Sequence, residues 1–285
     1  MCFLLIACIF PFRVEIMFFT RYRPTHKPLS NYESARLRDV AAWKRSESGL
    51  SVLAKLLDPI ARRAGHAVDR VLPRSGVTFL MERMDDMAER LANDGDELLG
   101  DPFVRGFNIF SWTDLHNQPL EVADAIADHV VKDAKKIAIG MGVASGTGGP
   151  IAVLGSTPVL LANAMTVIHR VGLSYGYQNT RERRKNLALY ILALSMAEDP
   201  QQKQVAFADY RTHIQQSLVD QAVRDTAARM LQKLVFGFQV GSAIPGFGIA
   251  MNAYLSRAFI KQAGRTAQRV FQEQWLLDHR GAVCV

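Results

Sequence analysis

The sequence predicts an all-α fold, a multi-helix bundle without significant sheet. Three observations predict it: apolar residues recur at helical spacing through most of the chain, capping and stop residues punctuate these runs, and long stretches of alternating β-branched residues are missing. Two segments depart from the amphipathic pattern, because Ile137 to Ile168 and Leu234 to Ser256 contain no charged residue. The first is interrupted at Gly146-Thr147-Gly148-Gly149-Pro150 and the second at Pro245-Gly246, so each is expected to form an apolar helical hairpin of two short arms around a turn. Arms of roughly 10–15 residues are too short to cross a bilayer singly.

The first helix is expected from Ser30, which stands three residues before Glu33 in capping-box spacing, with Leu37, Val40 and Trp43 on one face. Ser48 opens a second, carrying Leu50, Leu53, Leu57 and Ile60 until Gly65 ends it. From Val77 to Leu91 the series Leu80, Met84, Met87, Leu91 repeats at helical spacing as core filler, and Asn93-Asp94-Gly95 stops it. Gly100 to Asn117 has no clean period and is expected to be a packed loop or short helical turns. Pro119 suits the first turn of a helix running to about Ile137, with Leu120, Ala123, Ile126 and Val130 on its apolar side. Thr157-Pro158 pairs a capping residue with a first-turn proline, which predicts a helix from there to Tyr175, stopped by Gly176. Thr180 caps the next, which carries Leu187, Ile191 and Leu194 and ends before Pro200. From about Gln202 the remaining chain also has helical periodicity.

At 285 residues the chain buries a sizeable core without needing a metal or disulfide. Apolar residues at 49% against 21% charged place it among globular proteins. The cysteines Cys2, Cys8 and Cys284 lie at the chain ends without paired spacing, which fits a reducing compartment and indicates neither a zinc site nor a disulfide framework. The formal charge of +7 points to an anionic partner. The apolar run to Phe10 is shorter than a membrane span, breaks at Pro11 and has no basic residue ahead of it, so it reads as neither a span nor a secretory signal. Met17 is expected to be the true start, with the residues before it packing on nothing; residues 1–29 are expected to be an unstructured extension or a mis-annotated start, 30–278 a single helical domain and 279–285 a tail.

Motifs with catalytic overtones have simpler explanations. Gly172-Leu173-Ser174-Tyr175-Gly176 matches G-x-S-x-G, but a nucleophile elbow needs a strand before its serine, whereas Ser174 falls in the last turn of an expected helix. The glycines from Gly140 to Gly155 lack the Gly-Lys-Ser/Thr of a P-loop, and the four-residue spacings Gly142/Gly146 and Gly237/Gly241 suit close helix approach. Asp124 and Asp128 share a helix face, as do His129 and Asp133, a spacing able to hold a metal but more often a solvated face. His169 reads as a buried or interfacial histidine rather than a base. No metal or cofactor is expected. Zinc-finger spacing, interleaved aromatics and a helix-turn-helix pattern are lacking, so nucleic acid is not the expected anion.

The basic residues bracket the charge-free segments. Lys132, Lys135 and Lys136 precede the first, and Arg170 follows it, with Arg181, Arg183, Arg184 and Lys185 close behind. Lys233 precedes the second, and Arg257, Lys261, Arg265 and Arg269 follow it. The positive-inside preference would keep both ends of each segment on the cytoplasmic side, as hairpins rather than spans. Lys135, Lys136, Arg170, Arg181, Arg183, Arg184, Lys185, Arg257 and Lys261 are therefore the candidate contacts for anionic lipid or a partner.

The chain resembles the EcsC protein family through Trp43-Lys44, the glycine run Gly140 to Gly149, and Thr157-Pro158 opening a helix that ends Gly172-Leu173-Ser174-Tyr175-Gly176-Tyr177. Ile244-Pro245-Gly246-Phe247-Gly248 leading into Asn252, Ala253 and Tyr254 extends the likeness, which spans roughly Ser30 to Leu277. The family often has an acid just before the helix-opening proline, where this chain has Ser156-Thr157, so no role tied to that acid carries over. The resemblance implies a helical, hydrophobic accessory protein linked to transporter or secretion function, and it brings no catalytic residues. The expected function is a non-enzymatic, membrane-peripheral accessory or scaffolding protein at the cytoplasmic face of the plasma membrane, partnered by an anionic membrane or a membrane protein such as a transporter. The alternatives are a soluble helical lipid-binding module, or a hydrolase using Ser174 or the Asp124/His129 face.

Overall fold

The structure is a computed structural model that describes residues 28–46, 94–147, 149–178, 181–196, 200–201, 203–204, 207 and 248–282. These form eight helices with no strand among the described residues: α1 (Asn31–Arg45), α2 (Asp94–Gly100), α3 (Pro102–Arg105), α4 (Trp112–His116), α5 (Leu120–Thr147), α6 (Gly149–Ser174), α7 (Arg181–Met196) and α8 (Gly248–Arg280). The expected helices from Ser48 to Gly65 and from Val77 to Leu91, the turn at Pro245-Gly246 and the segment before Met17 lie outside the described residues.

Local signals act as the sequence predicts at several points. Ser30 Oγ accepts the Glu33 N–H at 3.1 Å while the Glu33 carboxylate accepts the Ser30 N–H at 2.8 Å, a complete capping box at the start of α1. The irregular stretch after Gly100 resolves into α3 and α4, each opened by a capping side chain, Asp101 and Ser111. Leu120, Ala123, Ile126 and Val130 of α5 are buried, as are Leu187, Ile191 and Leu194 of α7. Each fully buried Leu or Ile side chain contributes roughly 1.5–3 kcal/mol through the hydrophobic effect.

The expected short arms are corrected by the structure. Helix α5 does not stop near Ile137 but continues to Thr147, 28 residues in all, and α6 begins at Gly149, with Pro158 inside it rather than at its opening turn. Loss of charge is not loss of helix: Ala134 and Ala138 continue the buried stripe of α5 against its neighbours, and that packing outlasts the charged face. Pro158 forfeits one main-chain hydrogen bond, a local cost that packing of α6 against α5 and α8 outweighs. The uncharged residues after Gly248 likewise form the first turns of a 33-residue helix, not a separate arm.

Three long helices make the centre. Helices α5 and α6 are antiparallel, since Tyr175 meets Asp124 and Asn163 reaches the Ala134 carbonyl. Helix α8 is antiparallel to α5: Gln272 faces Asp124, Gln268 faces Asp128, and Gly264 faces Val131. It is parallel to α6, because Gly264 also lies against Val167 and Phe271 against Gly172. Helix α1 lies against α8, and α7 packs on α6 and α8.

Candidate functional site

Two features of the bundle carry chemical character, one at each end of α5. The first is a buried polar hub around Asp124. Its Oδ1 accepts the Tyr175 hydroxyl at 2.5 Å and the Gln272 amide at 2.8 Å, and its Oδ2 accepts the Tyr32 hydroxyl at 2.6 Å. Four elements thus converge on one carboxylate: α1, α5, the end of α6 and α8. Burial raises the Asp124 pKa, against the lowering effect of the hydrogen bonds from Tyr175, Tyr32 and Gln272. Burial and the neighbouring carboxylate push both tyrosines up in turn. Every contact is a satisfied hydrogen bond among fixed side chains, so the hub reads as a clasp holding α1 on the bundle rather than as a reaction centre.

Further polar bridges extend the clasp along α1. Glu33, buried at 4% exposure, takes a two-pronged contact from the Arg280 guanidinium, with the shortest distance 2.8 Å. Lys44 pairs with Glu273 at 2.7 Å, and Arg269 approaches Asp39 at 3.7 Å. Lys203 is fully buried, donates to the Trp43 and Ser46 carbonyls at 2.9 and 2.8 Å, and lies over the Trp43 ring. Burial lowers its pKa to about 8. Sequence reasoning missed this clasp: Glu33 was legible only as a cap, and nothing in the spacing pairs Tyr32 with Asp124 across 92 positions.

The residues with catalytic overtones are committed elsewhere. Ser174 is fully buried and its hydroxyl donates to the Arg170 carbonyl at 2.8 Å, so it lacks the exposure a nucleophile needs. The surrounding glycines have packing reasons: a Cβ on Gly172 would fall 2.6 Å from the Phe271 ring, and Gly176 has φ +80° with the His116 backbone behind it. Asp128 accepts from Gln268, and His129 Nε2 lies 3.3 Å from Asp101 and 3.2 Å from Asp133 while its ring stacks on Phe103. Among the described residues no His, Cys, Asp or Glu group is arranged to hold a metal. His169 is buried.

The second feature lies at the other end of α5. Extending the α5/α8 register beyond Val131 and Gly264 sets Lys135 opposite Lys261 and Ile139 opposite Arg257. The α5/α6 register sets Ile139 opposite Val159. Beyond that level none of the three helices carries a charge, through Thr147 on α5, back to Gly149 on α6 and to Gly248 on α8. Five of the large apolar side chains exposed in the structure belong to this end: Ile137, Ile139, Val159, Ile249 and Tyr254, with exposures from 37% to 60%. The charge-free part of α5 rises about 12–15 Å at 1.5 Å per residue, and no described helix is long and apolar enough to cross a membrane.

The candidate cations separate into groups. Lys135, Arg257 and Lys261 meet at the border of the apolar end, joined by Arg265 one turn along α8, and none of the four makes an ion pair among the described residues. Burial lowers the Lys135 pKa, helped by repulsion from Lys261, Arg257 and Arg265. Lys136 pairs with Asp133 at 2.7 Å, and Arg170 pairs with Glu97 about eleven residues further up α6. Arg181 and Arg183 to Lys185 open α7, which starts beside the Asp124 hub and away from the apolar end. Arg183 is half-buried, and the side chains of Arg181, Arg184 and Lys185 lie outside the described residues.

A sequence model described as the EcsC protein family matches residues 34–276. Among curated relatives, "Protein EcsC" of Bacillus subtilis (strain 168) is 22% identical over 205 residues, covering 72% of this chain and 86% of its own length. "Uncharacterized protein YdbA" of the same organism is 19% identical over 260 residues, covering 85% of this chain and 92% of its own. No solved structure matches.

Proposed function

The chain belongs to the EcsC protein family, and we propose that it is a non-enzymatic, membrane-peripheral accessory or scaffolding protein that docks on an anionic membrane from the cytoplasmic side. A membrane protein such as a transporter is the natural client of such a scaffold. One observation carries the reading: α5 and α8 run out of charge at a common level, α6 carries no charge between Gly149 and His169, and Ile139, Val159, Ile249 and Tyr254 are exposed at or beyond that level, with Ile137 at its edge. Exposed apolar side chains gathered at one end of a bundle and bordered by polar groups are the signature of an interaction site, and here the border is cationic. The depth suits one leaflet, because about 12–15 Å is roughly half of the ~30 Å hydrocarbon core. The cytoplasmic leaflet carries the negative surface potential that the border would seek.

Flotation on liposomes tests the reading. Wild-type protein is expected to float with vesicles containing phosphatidylglycerol, and Val159→Asp with Ile249→Asp is expected to abolish flotation while leaving the thermal melt within a few degrees, since both side chains are already exposed. Wild-type protein that stays in the soluble fraction at low salt would overturn it.

A further inference from the structure

We propose that Lys135, Arg257, Lys261 and Arg265 form one binding site for a phosphodiester, supplied by the headgroup of an anionic phospholipid. The site rests on the membrane-docking reading and adds its ligand chemistry. On α8 the three cations stand at four-residue intervals and so share a face, and the α5/α8 register brings Lys135 against that face.

The four cations of the quartet crowd together with no ion-pair partner among the described residues. Several other cations of the bundle are matched: Lys44 by Glu273, Lys136 by Asp133, Arg170 by Glu97, Arg280 by Glu33. Lys135 instead feels three like charges, with Asp128 opposing them. Cations held together against their own repulsion are stabilised by an anion. Two guanidinium forks and two ammonium groups suit the paired free oxygens of a phosphodiester, the forks fixing geometry and the ammoniums supplying point charge. Placement selects the lipid source, because the quartet borders the level at which α5 and α8 lose their charges, beside a part of α6 that carries none. If the apolar end enters the hydrocarbon, the quartet lies among the phosphates.

The test compares two double variants with equal change in net charge: Lys135→Gln with Lys261→Gln at the site, and Arg181→Gln with Lys185→Gln at the opposite end. Binding is read by co-sedimentation with phosphatidylglycerol–phosphatidylcholine vesicles and with pure phosphatidylcholine vesicles. Each site cation removed is expected to weaken binding to the anionic vesicles about fivefold, so the site pair loses roughly 25-fold and its salt dependence flattens. The control pair should lose less than about threefold, and residual binding to phosphatidylcholine, whose phosphodiester is neutralised by its own choline cation, should change little. Arg257→Gln with Arg265→Gln, both exposed, repeats the measurement on side chains whose loss does not endanger folding. Equal weakening by the site and control pairs would overturn the proposal, as would equal wild-type affinity for the two vesicle types, an outcome that keeps the apolar end as a membrane contact but removes its preference for anionic lipid. Failure of the wild type to bind either vesicle would remove the docking reading itself. Saturable binding of inorganic phosphate or glycerol phosphate in the absence of vesicles, lost in the site variant, would overturn the lipid as source.

Discussion

Tyr175 donates its hydroxyl to the buried Asp124 carboxylate at 2.5 Å, tying the end of α6 to the first turns of α5 at the point where Tyr32 brings in α1. The hub concentrates three donors on one carboxylate that burial would rather keep neutral. That tension gives it a measurable pH signature.

Because the folded pKa of Asp124 is raised, the unfolded carboxyl ionises first as pH rises. The stability Asp124 contributes is therefore complete below the ordinary carboxylate value and is lost as pH rises through the folded one. Asp124→Asn removes this dependence, and urea unfolding should show the variant gaining on the wild type from about pH 4 upward. Asp124→Leu should instead cost at least about 2 kcal/mol at every pH, because it orphans the Tyr175 hydroxyl and the Gln272 amide in the interior. Parallel pH profiles for wild type and Asp124→Asn would show that the carboxyl does not titrate on unfolding.

Glu33 has the opposite sign. Burial raises its pKa, but the Arg280 guanidinium and the Ser30 N–H outweigh that and hold it below the ordinary value. Its stability is present above the unfolded pKa and lost as pH falls through the folded one. Glu33→Gln should cost roughly 1–2 kcal/mol at neutral pH, discounted because the Arg280 side chain keeps 23% exposure, and little at low pH. A melting temperature lowered by about 2–6 °C at pH 7, with the gap closing below pH 4, is the expected result.

Glycine substitutions should separate sharply by position. Gly176→Ala meets both a left-handed backbone at φ +80° and the His116 Cα at 2.6 Å, so a loss of about 2–4 kcal/mol is expected. Gly140 lies in a helix with open space where its Cβ would go, and Gly140→Ala should be neutral or stabilise by up to about 1 kcal/mol. Thermal melts of the two variants decide it, and equal effects would show that neither the left-handed backbone nor the His116 contact constrains position 176.

The sequence by itself determined the helical class, the start of α1, the buried stripes of α5 and α7, and the glycine stop after α6, because each follows from a period or a cap within a few residues. It misplaced the boundaries of the long helices, since Pro158 and the uncharged glycines look like breaks until packing against neighbouring helices is counted. Its candidate cations were a list ordered by bracketing. The tertiary register divided them, setting Lys135, Arg257 and Lys261 together with Arg265 at one end, and placing Arg170 and the start of α7 towards the other. The clasp from Tyr32 to Asp124 and from Glu33 to Arg280 was illegible for the same reason: its partners lie 92 and 247 positions apart, and only the packing of α1 on α8, whose C-terminal end returns to the start of α5, brings them within hydrogen-bonding reach.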